Sequence, residues 1–225
     1  MPIVLALGPI VSAVVAATAT VAVGKVIYDA IADEDEPSLQ KKSNLELNIE
    51  RLRIQLKSHT GRKIAIIGQP GAGKSSLLKK MTNGKVMPLP IIGAQTDATT
   101  WADNQECNLL SRYENYAFAD VPGYDTLSHP VHIFSSFFPF NNFDAFVFVI
   151  HGKLHAADEV IFQLAAHSGK KICIARSFSD GLENNEKRSI EDDIRMRLSP
   201  KTTIPISFFS NRTGDGIKNI FDFIR

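Results

Sequence analysis

Ile64-Ala65-Ile66-Ile67-Gly68-Gln69-Pro70-Gly71-Ala72-Gly73-Lys74-Ser75-Ser76-Leu77-Leu78-Lys79-Lys80-Met81 is the stretch from which the rest of the chain can be read. A short β-branched apolar run comes first, then a glycine-rich octapeptide of the form G-x-x-x-x-G-K-[ST], then a helical pattern. Strand, loop and helix in that order are the context this octapeptide needs to act as a phosphate cradle. Glycines let the loop turn its backbone N–H groups inward, and the following helix adds the positive end of its dipole. Residues Gly68, Pro70, Gly71, Ala72, Gly73, Lys74, Ser75 and Ser76 are therefore expected to surround a polyphosphate. Lys74 should reach the β- and γ-phosphates, and the Ser75 hydroxyl should ligate Mg²⁺.

Outward from this loop, short apolar runs alternate with helical stretches. Strands are predicted at residues 63–67, 107–111, 116–120, 145–150, 171–175 and 205–209, and helices at 74–82, 156–168, 189–198 and 217–224. Such alternation implies an α/β fold with a mostly parallel six-stranded sheet and helices on both faces. The runs at 107 and 116 lie too close for a crossover helix, so they should form one antiparallel hairpin turning near residues 112–115.

Asp120-Val121-Pro122-Gly123 closes the strand at Tyr116 in a D-x-x-G pattern. Here the chain resembles the P-loop small GTPases of the translation-factor-related class, with Era-type and immunity-related GTPases as look-alikes over residues 61–225. FADVPGYDT is similar to their D-x-P-G-x-x-T segment. NFDAFVFVI followed by AAHSGKKICIARSFSD is similar to the immunity-related pattern, and ISFFSNRTGDGI to the closing S-N or S-A-x-T-G-x-G segment. The resemblance implies a G domain binding GTP and GDP with Mg²⁺. It assigns Asp120 to the metal, the Gly123 N–H to the γ-phosphate, Asp180 to guanine N1 and N2, and Ser210-Asn211 to O6. Arg176, Ser177 and Phe178 complete the base segment.

Two departures stand out. Phe178 occupies the place of a lysine that stacks on the base, and Tyr124 that of a glutamine that orients water. The magnesium-binding threonine before residue 107 is Thr96, Thr99 or Thr100, with the resemblance favouring Thr99 or Thr100; Thr99 is taken with Lys74 and Gly123 into the hydrolytic set. Asp180 also reads as an ordinary turn residue before Gly181.

Composition sets bounds on the alternatives. With 44% hydrophobic and 22% charged residues the chain can bury a sizeable core. A net charge of +1 gives no reason to expect nucleic acid as a partner. An RNA role by Era-type analogy is further weakened because the sequence stops at the last G-domain helix. Cys107 and Cys173 make neither a disulfide framework nor a C-x-x-C pair. His151 and His155 lack a third ligand at metal-site spacing.

Residues 2–24 carry no charge, and residues 3–23 as a helix would span about 31 Å, close to a bilayer core of about 30 Å. A signal peptide would have a basic start, which is missing. Residues 1–32 therefore read as a membrane segment or as an apolar helix folded onto the protein itself. Gly8, Ser12, Ala16, Thr20 and Gly24 form a small-residue stripe that lets a second helix approach closely, so a homodimer or oligomer through this helix or the G domain is an expectation. Residues 33–60 hold an acidic linker and an amphipathic helix over 38–58, in which Leu45, Ile49, Leu52 and Leu56 share a face and Ser43 with Glu46 forms a capping box. Its apolar face should pack on the G domain.

The expected function is a Mg²⁺-dependent, membrane-associated GTPase switch with its G domain in the cytoplasm and slow turnover without a partner or self-assembly. The alternative is a guanine-nucleotide-binding interaction module that does not hydrolyse. An ATPase or nucleoside kinase would need no base reader at Asp180, and no arginine-rich lid is present.

Overall fold

The computed structural model describes residues 42–93, 100–200 and 203–225. The expected apolar helix at 1–32, most of the acidic linker, and the candidates Thr96 and Thr99 lie outside them. No helix among the described residues is long and apolar enough to cross a membrane.

Strands β1 (Arg62–Gly68), β2 (Ser111–Tyr113), β3 (Tyr116–Asp120), β4 (Ala145–Ile150), β5 (Lys171–Arg176) and β6 (Ile206–Phe208) form one sheet in the order β2-β3-β1-β4-β5-β6. Only β2 runs antiparallel, against β3; every other pair is parallel. Helices α1 (Asn44–Ser58), α2 (Lys74–Met81), α3 (Val131–Phe137), α4 (Ala156–His167), α5 (Asn184–Leu198) and α6 (Ile217–Ile224) cover its faces.

Period-two alternation along the strands divides the core. Ile64, Ile66, Val147 and Val149 pack with Leu77 and Leu78 of α2 and Ile217 and Ile220 of α6. Ala65, Ile67, Phe146 and Phe148 face the opposite layer, where α1, α3, α4 and α5 bring Leu52, Phe134, Phe162 and Ile194. Helix α1 starts with the expected box: the Ser43 hydroxyl accepts from the Glu46 N–H at 3.3 Å, and the Glu46 carboxylate accepts from the Ser43 N–H at 2.8 Å. Leu45, Ile49, Leu52 and Leu56 are buried in the same core as Phe134 and Phe143, so α1 is built into the α/β body.

Two local expectations need correction. The strand placed at 107–111 lies at Ser111–Tyr113 instead. Leu109 is buried in the core that holds α1, and Arg51 donates to the Cys107 carbonyl, so this segment packs against α1 rather than pairing along its length. The hairpin turn, Glu114-Asn115 with Glu114 in the left-handed region (φ 51°), falls within the expected residues 112–115. Helix α5 starts five residues before the expected 189, where the Glu186 carboxylate accepts the Glu183 N–H at 2.7 Å. Helix α3 was not foreseen: its polar positions His132, Ser135 and Ser136 do share a face, but seven residues are too short a window for a helical period to stand out.

Candidate functional site

The loop after β1 is shaped by close approach. A Cβ on Gly68 (φ 151°) would lie 2.1 Å from the Val149 carbonyl oxygen, so only glycine lets β1 leave the sheet here. Gly73 (φ 93°) then begins α2 in the left-handed region. Lys74 is 7% exposed, and its ammonium donates to the carbonyls of Gly68 and Gln69, both at 2.9 Å. A cation is thus held over the mouth of a loop that leads into a helix N-terminus, the electrostatics an anion requires.

The Ser75 hydroxyl donates to Asp120 Oδ2 at 2.6 Å. Ser75 opens α2 and Asp120 ends β3, so two adjacent parallel strands bring a hydroxyl and a carboxylate together beside the loop. Among the described residues no group of three or more His, Cys, Asp or Glu is placed to hold a metal. One hydroxyl and one carboxylate next to a phosphate cradle suit Mg²⁺, which keeps waters and takes substrate phosphates as ligands. Gly123 presses against the loop: a Cβ there would lie 2.4 Å from both N and Cγ of Pro70.

The third part of the site comes from the ends of β5 and β6. Ser177 is fully buried, its N–H and hydroxyl both donating to the Ile150 carbonyl at 2.9 and 3.1 Å. Phe178 sits in the left-handed region (φ 55°) and is 53% exposed. Its ring centroid lies 4.3 Å from that of His151, tilted by 46°. Asp180 Oδ2 accepts from Arg212 Nη2 at 2.6 Å and Nε at 2.7 Å. Hydrogen bonds from Ser210 and then Arg212 hold its carboxyl below the ordinary range. Arg176 is buried at the end of β5, its guanidinium donating to the Ser177 carbonyl; burial lowers its pKa. Ser210 is buried and accepts the Arg212 and Thr213 N–H groups at 3.1 and 3.2 Å.

The loop at 68–75, the Asp120–Gly123 turn and the 177–180 and 210–212 segments all lie past the carboxyl ends of parallel strands. That edge is where open α/β sheets bind ligands. Asn211 joins the segment after β6 to the loop after β1, its Nδ2 donating to the Gly73 carbonyl at 3.0 Å. Neither this bond nor the Arg212–Asp180 pair has a local sequence signature. His151 and His155 are separated: the first packs against Phe178 in a tilted arrangement, while the second caps α4, its N–H donating to Asp158 Oδ2 at 2.8 Å.

This arrangement defines a phosphate-loop nucleotide-binding domain. A family model described as "50S ribosome-binding GTPase" matches residues 63–177, half of the chain, and the chain belongs to that family. It is a GTPase G domain. GTPase Der of Tolumonas auensis is 27% identical over 173 residues, covering 72% of this chain and 33% of its own length. GTPase Der of Pseudomonas putida (strain GB-1) is 26% identical over 173 residues, covering 73% and 34%. The chain thus spans about a third of the length of these relatives. Among solved structures, a probable GTP-binding protein engB aligns with a TM-score of 0.52 at 19% identity, covering 72% of this chain and 96% of that one. The bacterial selenocysteine-specific elongation factor EF-Sec aligns with a TM-score of 0.53 at 17% identity, covering 73% and 28%. Both likenesses are of fold.

Proposed function

We propose that the protein binds GTP with Mg²⁺ and hydrolyses it to GDP and phosphate as a membrane-associated switch, with turnover that stays slow until a partner or second copy engages. The observation that carries this reading is the convergence of Lys74, Ser75 and Asp120 on one loop, with the 2.6 Å Ser75–Asp120 contact at its side. Lys74 leaves its two carbonyl partners to meet the phosphates, Ser75 and Asp120 hold Mg²⁺ with Thr99 or Thr100, and the Gly123 backbone senses the third phosphate. The metal, when bound, neutralises charge developing on the phosphate oxygens. Phe178 offers a face to the purine, Asp180 takes the guanine donors, and the Ser210-Asn211 backbone lies toward O6.

Slow turnover is supported by Tyr124, which is 1% exposed and donates its hydroxyl to Asp158. The residue after Gly123 is therefore turned into the core and offers nothing to orient water. The same observation favours, as a second reading, a guanine-nucleotide-binding module without hydrolysis. Single-turnover assays at rising protein concentration, with and without lipid vesicles, separate the two: a rate that grows with concentration or lipid supports the switch, and a flat zero supports the module.

Membrane attachment rests on the uncharged run at 2–24. Full-length protein should float with vesicles and resist high-salt extraction, and removal of residues 1–32 should leave soluble, nucleotide-binding protein. Full-length protein that stays soluble as a monomer would contradict attachment and favour the helix packing on its own domain.

A further inference from the structure

Helix α1 does more than cover the sheet. Asn48, in its second turn, is fully buried, and its amide donates to the Trp101 carbonyl at 2.8 Å and to the Asn104 carbonyl at 2.7 Å. On its other side the Trp101 N–H donates to His129 Nε2 at 3.0 Å. Trp101 and His129 are each 1% exposed. One residue thus has both backbone groups taken by buried side chains from two separate elements. Flanking bonds repeat the pattern: Asn44 donates to the Asp103 carbonyl at 3.1 Å, and Arg53 to the Phe137 carbonyl of α3 at 2.8 Å.

We infer that Asn48 is a positioning residue for GTP, the joint through which α1 holds together the two segments that flank the third phosphate. Thr100, a candidate magnesium ligand, immediately precedes Trp101. His129 lies six residues beyond Gly123, whose backbone presses on Pro70 of the loop after β1. Binding GTP needs both segments in place, whereas GDP calls on the phosphate loop and the base segment. Fixing Trp101 from both sides lowers the ordering cost of the GTP state alone, because that conformational freedom has already been lost on folding. This inference rests on the site being a guanine-nucleotide switch.

The test uses the full-length chain, Mg²⁺, fluorescent GDP and a fluorescent non-hydrolysable GTP analogue. Asn48→Asp keeps the shape but turns a carboxylate toward two carbonyls; Asn48→Ala removes the donor without adding charge and serves if the first variant does not fold. Leu52→Ala, one turn along the same helix, is the stability control, since it opens a cavity in the same buried core but removes none of the Asn48 hydrogen bonds. Either Asn48 variant should lose at least fivefold in the ratio of analogue to GDP affinity, while Leu52→Ala should lower Tm and keep the ratio. An unchanged ratio in a folded Asn48 variant, or an equal change in Leu52→Ala, would overturn the inference. Wild-type protein that binds neither nucleotide would instead overturn the reading of the site.

Discussion

Tyr124 donates its hydroxyl to Asp158 Oδ1 at 2.6 Å, and the second oxygen of that carboxylate accepts the His155 N–H at 2.8 Å. The residue directly after Gly123 is therefore pinned to the first turn of α4. Its side chain is buried, 1% exposed.

Tyr124→Phe should leave a buried carboxylate oxygen without its donor and cost about 1–3 kcal/mol of stability. Urea unfolding measures this. GTP and GDP affinities, and the single-turnover rate, should stay within about twofold. A rate loss above tenfold at unchanged affinity would show that the phenol takes part in hydrolysis.

The same pair gives an alkaline signature. Burial, then the nearby Asp158 carboxylate, raise the Tyr124 pKa well above its ordinary value. In the unfolded chain this tyrosine ionises near pH 10. Above that pH the unfolded state binds fewer protons than the folded one, so stability falls as pH rises. Below it Tyr124 contributes no pH dependence. Absorbance titration at 295 nm should show the Tyr124 phenolate appearing only with unfolding; its appearance in folded protein would contradict the burial.

Asp180 and Arg212 make the base preference testable in two directions. Asp180→Asn should shift preference from guanine toward xanthine nucleotides, because guanine presents two donors to the carboxylate and xanthine has a different edge. Arg212→Ala frees the Asp180 oxygen that the guanidinium now occupies, so GDP affinity should rise severalfold by calorimetry. An unchanged order of preference in Asp180→Asn would remove Asp180 as the base reader.

Phe178→Ala should weaken GDP by about 1–3 kcal/mol, the range for an aromatic ring stacked on a base. ATP binding, if measurable, should weaken equally, since stacking does not distinguish purines. A loss confined to guanine nucleotides would give Phe178 a different role.

What could be read from the residues follows the range over which each interaction acts. The β1–loop–α2 unit was legible because backbone conformation and chemistry coincide in consecutive residues, with Gly68 and Gly73 at positions of enforced geometry. Tyr116–Asp120 and Ala145–Ile150 were legible as apolar runs long enough to show strand character. Helix α3 was not, because VHIFSSF buries Phe134 in an aromatic cluster set by tertiary packing. At the candidate site, the residues expected to meet phosphate and metal share local patterns. By contrast, Asn48–Trp101, Trp101–His129, Arg212–Asp180 and Asn211–Gly73 join residues far apart in sequence, and single-sequence patterns carry no information about such pairs.

The measurement that bears most directly on the phosphate site is calorimetric titration of wild type and Lys74→Ala with GTP and Mg²⁺. Removing the ammonium leaves phosphate charge unpaired in a cradle where charge-assisted bonds contribute about 1.5–3 kcal/mol. The account predicts GTP binding by wild type and at least a tenfold loss in the variant, with thermal unfolding showing that the variant is folded. Equal GTP affinity in the two proteins would contradict it.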